Sequence, residues 1–321
     1  MHTRLSRMLL FLCLNASIAS IGCVKQIRST VPAFAQATEL TSTNVQAAFQ
    51  TVNATYIEAQ TFRYAVTYNG EVDPASILEN WLPAGSMDVR IQLLQGLKQY
   101  ASELNSLTGS NDTDSLNKAS SAVGVSLTAL TKTAEFKGLT SKLPGGASDQ
   151  AATAVNAVGN WLIESKLAKD LPALIERMDP SVQVICTLLS EDIGNVNNNP
   201  DRPLEGSGLR HQLWNDYNNI ILAQNQYILH GECVKGKTQP NCFSPDARLA
   251  EIKKLPALAQ QRNTADQTLQ QVQVTIRQLA QAHTELVKAA RSKQHLTADL
   301  QDLVAEAQRL NAYYNSLASS K

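Results

Sequence analysis

An all-α fold, an elongated and mainly antiparallel helical bundle ending in one long C-terminal helix, is predicted by three features of the sequence. Apolar residues make up 43% of the 321 positions but aromatics only 5%. The apolar share leans on Leu, Ala and Val, which suits packed helices better than pleated sheets. Between positions 264 and 317 there is no Gly and no Pro. Ala265, Val272, Leu279 and Leu286 recur there at seven-residue steps, and Leu300, Ala307 and Tyr314 resume the series after Lys293 interrupts it. Thirdly, Asp73-Pro74, Asp179-Pro180 and Ser244-Pro245 each place a side-chain acceptor before a proline, the chemistry of a helix N-terminus.

The elements follow in order. Residues 24–40 show no clear period and read as a flexible tether. From Asn44 a helical face begins, with Val45, Phe49, Val52, Tyr56, Ala59 and Val66 at three- and four-residue steps, and Asn69-Gly70 suits its left-handed cap. An Asn-Gly hairpin is the weaker reading of that pair. Ser86 is a candidate cap for a helix whose inner face holds Leu93, Leu97, Tyr100, Leu104 and Leu107. Leu116, Val123, Leu127 and Leu130 mark the next, ending near Lys137-Gly138. Another starts near Ser148 with Val155, Val158 and Leu162 inward, and Asp170-Leu171-Pro172 kinks or restarts it. Residues 197–203 read as an exposed loop between two helices. In the last segment Leu269 and Ile276 flank one side of the seven-residue series, while Leu296, Leu303, Leu310 and Leu317 flank the other. The stripe drifts around the helix, as on a nearly straight bundle helix rather than a two-stranded coiled coil. At about 1.5 Å per residue, that segment would span about 80 Å.

Basic and acidic residues number 28 each, so no global positive field draws nucleic acid, and that partner class is not expected. The amino terminus has a different character. Arg4 and Arg7 precede an apolar run opened by Met8, too short to span a bilayer, and small residues lead to Ala19-Ser20-Ile21-Gly22-Cys23. This resembles the lipobox of bacterial lipoproteins, with Ser20 where Leu is more usual. The resemblance covers residues 1–23. It implies cleavage before Cys23, with a diacylglycerol on its thiol. Because Val24 rather than Asp follows, it also implies sorting to the outer membrane. Residues 1–22 are then a signal peptide, 23–40 anchor and tether, and 41–321 one helical domain. A rival site, Ala33-Phe34-Ala35, would release a soluble periplasmic chain starting at Gln36; Lys25 and Arg28 before it weigh against that reading.

Cys233 and Cys242 enclose a polar loop, and in an oxidising compartment the spacing suggests a disulfide. Cys186, in the apolar run 184–189, reads as a buried thiol; pairing with one of those two is the alternative.

Several motifs fail on context. Residues 231–238 match G-x-x-x-x-G-K-[ST], but a phosphate-cradling loop follows a strand and opens a helix, and here a helical pattern precedes it and Pro240 follows. No nucleotide is expected. His230, Glu232, Cys233 and Cys242 lack a zinc spacing, so no metal is expected. Ser115 and Lys118 form S-x-x-K without its partner motifs and read as a solvated helix face. The sequons at Asn53 and Asn111 read as chance. His283 falls on the apolar seam: a hydrogen-bonded core histidine is the plain reading, a pH-sensitive packing switch the sharper one. Residues 119–131 and 151–163, rich in small side chains, read as close-packing helices or as a membrane-inserting hairpin. No catalytic set is clustered and no cofactor is implied. The expected function is a non-catalytic, lipid-anchored envelope scaffold or adaptor, bound to an envelope protein or to itself through its helices. The alternatives are a carrier for an apolar envelope ligand and a secreted membrane-active helical protein.

Overall fold

The computed structural model describes residues 2–68, 76, 79–108, 113–141, 143, 147–164, 171–197, 203–231 and 242–291, with 303–305, 308–309 and 312 beyond them. Within these the fold is an all-α helical bundle with one small two-stranded ribbon. The helices are α1 (His2–Val66), α2 (Ala84–Ser106), α3 (Thr113–Leu130), α4 (Ala134–Thr140), α5 (Ala147–Glu164), α6 (Leu171–Ile193), α7 (Gly208–His230), α8 (Pro245–Ile252) and α9 (Lys254–Arg291). The ribbon, β1 (Asn195–Asn197) and β2 (Glu205–Ser207), joins α6 to α7. Among the described residues no helix is long and apolar enough to cross a membrane.

The packing separates two compact units where the sequence suggests one domain over 41–321. The first holds Met1–Asn44, Val89–Leu189 and Thr275–Asn311, the second Val45–Asp88, Ser190–Val274 and Ala312–Lys321.

In the first unit, the expected tether is helix. Residues 24–40 belong to α1, and Val31, Phe34, Thr38 and Thr41 are buried. These positions step by three and four and run straight into the apolar face that begins at Val45. The stripe escapes a hydropathy reading because two of its members are threonines. Thr38 is buried without penalty: its hydroxyl donates to the Phe34 carbonyl at 2.8 Å. Burying side chains such as Val31 and Phe34 contributes about 1.5–3 kcal/mol each.

Helices α3 and α5 are the two small-residue stretches, and they pack on each other. A Cβ on Gly124 would stand 2.5 Å from the Gly159 carbonyl oxygen, and one on Gly159 would stand 2.9 Å from that of Gly124. Only glycine permits this backbone approach. On α2, Leu93, Leu97, Tyr100 and Leu104 are buried as predicted, but the helix starts at Ala84 and holds Ser86 inside it. The α3 pattern stops at Leu130, and Thr133 caps a separate α4 by accepting from the Phe136 amide at 3.2 Å. Helix α6 begins at Leu171, with Pro172 in its first turn, and continues through Pro180. The cap expected at Asp179-Pro180 is therefore absent; the Asp179 carboxylate is committed elsewhere, as described below.

In the second unit, residues 79–83 are strapped to α1. The Asn53 side-chain carbonyl accepts from the Trp81 amide at 2.8 Å, and its NH2 donates to Asn80 at 2.7 Å. The Trp81 indole donates to Asp216 of α7 at 3.1 Å. Arg210 forks onto Asp266 at 2.7 and 2.9 Å, and Arg262 lies 3.8 Å over the Trp214 ring. The residues flanking 198–202 form the ribbon, with Val196 opposite Gly206. Gly194 and Gly208 supply the left-handed turns on either side of it, at φ 71° and 67°. Gln273 caps the end of α6, donating to the Ser190 and Gly194 carbonyls at 2.8 and 3.0 Å. Ser244 caps α8 as predicted, accepting from the Ala247 amide at 3.1 Å.

The C-terminal helix starts ten residues before Thr264, at Lys254, and is described to Arg291. Its seam is buried at Ala265, Leu269, Val272, Ile276, Leu279 and Leu286, and so is Leu303 further on. The expectations at Asn69-Gly70, Asp73-Pro74, Gly109, Asn111, Asp170, Lys293, His295, Leu296, Leu300, Ala307, Leu310, Tyr314 and Leu317 lie outside the described residues.

Glycine at 124 has a packing role, while Gly138 of α4 has nothing within 4 Å of an added Cβ. Gly124→Ala is expected to lower stability by about 1–3 kcal/mol through overpacking. Gly138→Ala should raise it by about 0.5–1 kcal/mol through helix propensity. Urea denaturation of the two variants beside the parent measures both.

Candidate functional site

The most chemically distinctive cluster in the first unit is built around His283. The series Leu269, Ile276, His283 advances by sevens along α9, so the imidazole occupies a position its two predecessors fill with aliphatic side chains. It has no exposed surface. Its Nδ1 lies 2.8 Å from Asp179 Oδ1 on α6, and its Nε2 lies 2.8 Å from the Tyr100 hydroxyl on α2. Around this chain Phe34 of α1 sets its ring 5.6 Å from the imidazole, and Trp161 of α5 meets Tyr100 edge-on at 5.2 Å. Gln183 lies alongside, donating to Asp179 at 3.1 Å, to the Ala280 carbonyl at 2.8 Å and to Thr284 at 3.0 Å.

The electrostatics assign the protons. The hydrogen bond from His283 holds the Asp179 carboxyl below its ordinary value against the opposing effect of burial, with a further contribution from Gln183. Asp179 is therefore an acceptor, and Nδ1 carries a proton toward it. Burial, reinforced by the Asp179 charge, pushes the Tyr100 phenol well above its ordinary value. Tyr100 therefore keeps its proton, and with Asp179 it gives each ring nitrogen of His283 a hydrogen-bond partner.

A carboxylate–imidazole–hydroxyl chain is also the order of a nucleophilic triad. Here the hydroxyl is a protonated phenol, 1% exposed and enclosed by aromatic rings. It has neither the acidity nor the access that attack on a substrate requires. What the chain does is bind α2, α6 and α9 together at one level with directional bonds, and seat α1 and α5 against them through rings. A second buried acid, Glu103, accepts hydrogen bonds from Ser120 and Ser106, and desolvation raises its pKa. Among the described residues no group of three or more His, Cys, Asp and Glu could hold a metal ion.

The other residues singled out by sequence are placed as follows. Cys186 is free and buried, its thiol pushed up to about 12 by burial, so it is an inert core side chain rather than a disulfide partner. Cys23 lies within α1. Cys242 is exposed at the foot of α8, and Cys233 lies outside the described residues. The segment that should be a strand before the phosphate-loop motif is helix α7. The first glycine of that motif has a different use: a Cβ on Gly231 would fall 2.0 Å from the Phe243 ring. The Phe243 amide donates to the Gly231 carbonyl at 2.8 Å, which closes the ends of the intervening loop. His211 lies 3.2 Å from Asn215 on the same helix, and His230 ends α7 exposed. Lys118 stands exposed on α3. Asp179 and Tyr100 were not visible as partners of His283 from sequence; the sole signal was a polar residue on an apolar seam. No protein-family model, no curated protein and no solved structure matches the chain.

The chain of bonds through His283 sets a pH dependence. Asp179 titrates lower in the fold than in the unfolded chain, so its contribution is fully present above the ordinary carboxylate value and disappears as pH falls through the lowered one. Asp179→Asn is expected to cost about 1–2 kcal/mol at neutral pH and to flatten the acid limb of the stability curve. Tyr100→Phe, which removes one hydroxyl, should cost about 1–2 kcal/mol. Denaturant melts from neutral pH down through the carboxylate range check both.

Proposed function

We propose that the chain is a lipid-anchored cell-envelope scaffold or adaptor, non-catalytic, attached through a lipid on Cys23 and binding another envelope protein through its helices. The observation that carries the anchor is the burial of Phe34 against His283. Cleavage before Cys23 leaves Thr30, Val31 and Phe34, all buried, in the chain. Cleavage after Ala35 would strip Val31, Phe34 and Ala35, all buried, from the core. The lipobox reading is thus compatible with the packing, and the Gln36 reading conflicts with it. Two or more acyl chains would make the attachment stable where a single chain binds only marginally. The non-catalytic reading is supported by the hydroxyl and imidazole of the best polar cluster being buried in the core, Tyr100 1% and His283 0% exposed.

The body is also proposed to carry a Cys233–Cys242 disulfide. Its support is the Phe243–Gly231 hydrogen bond together with the Tyr227–Phe243 ring contact at 5.1 Å, which bring the loop ends together.

The mass of the mature N-terminus tests the anchor. A diacylated Cys23 is expected, together with accumulation of the uncleaved precursor in Cys23→Ala; a free Gln36 would refute the anchor. Crosslinking in intact cells tests the adaptor role, and a protein recovered solely as a monomer would defeat it. For the disulfide, alkylation of the exported protein without reduction should leave residues 233 and 242 unmodified. Reduction should cost about 2–3 kcal/mol of stability. Two alkylated thiols there would rule the bridge out.

A further inference from the structure

In the first unit, helix α2 carries a buried acid at the end where a negative charge is least welcome. The face that α2 turns to α3 is made of small and neutral polar contacts. Ser126 donates to Gln92 at 2.9 Å, a Cβ on Gly96 would stand 2.6 Å from Leu127, and Gln99 donates to Ser120 at 2.7 Å. Glu103 continues this face, since 92, 96, 99 and 103 step by four and three. It is 3% exposed. It also lies in the last turn of α2, which ends at Ser106 and holds no basic residue. The terminal carbonyls of a helix gather partial negative charge there and disfavour a further anion.

The groups that face this carboxyl are neutral. Ser120 of α3, with no exposed surface, donates to one of its oxygens. Ser106 on its own helix lies 3.4 Å from the other and has a better partner in the Glu103 backbone carbonyl, at 2.8 Å. Burial raises the Glu103 carboxyl above its ordinary value, Ser106 and Gln99 oppose the rise without offsetting it, and among the described residues no basic side chain enters the balance. Asp179 is shifted the other way by its hydrogen bond with His283. A neutral carboxyl both donates and accepts, which suits a setting of hydroxyls. An ionised one without a cation regains its solvation by drawing away from α3 toward water.

We propose that the α2–α3 contact is an acid-tightened clasp worked by Glu103: with the carboxyl neutral the two helices are held together at Ser120, and with the carboxyl ionised the hold loosens. A carboxyl that titrates higher in the fold than in the unfolded chain favours the fold while it is protonated. Its contribution is fully present below the ordinary glutamate value and is lost as pH rises through the raised one. The sign is opposite to that of Asp179, so acid strengthens the contact of α2 with α3 while it weakens the bond between α6 and α9. The clasp is a property of the folded body and does not depend on a lipid at Cys23.

Hydrogen exchange on the full chain, corrected for the intrinsic rate at each pH, tests this on the amides of 118–126. The series runs upward through neutrality from just above the ordinary glutamate value of about 4.3, where Asp179 adds little slope. Protection is expected to fall as pH rises, by at most about tenfold per pH unit, the limit that one proton sets, and then to level off. Glu103→Gln keeps the shape and still accepts from Ser120 but carries no charge. It should be as protected at neutral pH as the parent is in acid, with no fall between. A carbon-13 titration of the Glu103 carboxyl in the parent reads the same proton directly and should lie above the ordinary glutamate value. The proposal is overturned if protection of 118–126 is flat in the parent, or if Glu103→Gln falls as the parent does. It is overturned equally if that variant is less protected than the parent at neutral pH, or if the carboxyl titrates at or below its ordinary value. None of these outcomes bears on whether Cys23 is acylated.

Discussion

A histidine with no exposed surface has two nitrogens to satisfy, and the first packing unit is arranged to satisfy them. His283 stands where α9 would otherwise place an aliphatic side chain, so an otherwise apolar core must supply a partner for Nδ1 and one for Nε2. Asp179 supplies the first and Tyr100 the second. That requirement explains features that look unrelated. The Asp179 side chain reaches His283 from within α6, which runs on through Pro180 instead of starting there. Gln183, one turn further along, donates to the same Asp179 oxygen that faces His283 and reaches the α9 backbone. Phe34 and Trp161 pack their rings against His283 and Tyr100, which keeps the bond between those two buried. Apolar packing alone tolerates sliding between helices; a chain of directional bonds fixes one register.

The same cluster gives the amino-terminal segment its structural meaning. The ring of Phe34 lies against His283, and Thr30, Val31, Thr38 and Thr41 of α1 are buried as well. Stability of the core and choice of cleavage site become a single question, because a cut that removes Phe34 also opens the His283 site.

The second unit uses polar side chains for positioning. Asn53 and Asp216 hold the Trp81 strap, Gln273 finishes α6, and Glu251 with Gln224 tethers α8. Each of these contacts pairs groups on different elements, and each replaces a bond that a helix end or a loop would otherwise make to water. Helix α8 buries none of its residues and leaves Leu249 and Ile252 exposed, because its attachment is made through these polar groups.

Much of the helical framework was legible in the sequence, because periodicity reports which face of a helix is buried wherever that face is purely apolar. Leu93, Leu97, Tyr100 and Leu104 were read correctly for that reason, as were Ala265, Val272, Leu279 and Leu286, and the Ser244 cap is a local chemistry of four residues. The reading failed where the inner face carries polar atoms: Thr38 and Thr41 concealed the continuation of α1 back toward residue 30. It failed also at β1 and β2, whose Asn-Val-Asn and Glu-Gly-Ser carry no strand pattern and pair through backbone bonds between glycine turns. By itself the sequence determined the helix class, the amphipathic faces and the export-like amino terminus, since each is a property of neighbours along the chain. The partners of His283, the passage of α6 through Pro180, the Gly124–Gly159 contact and the outward face of α8 were decided by tertiary structure alone. Each depends on atoms tens to hundreds of residues apart, and no local pattern encodes which distant group will arrive at the required bond length.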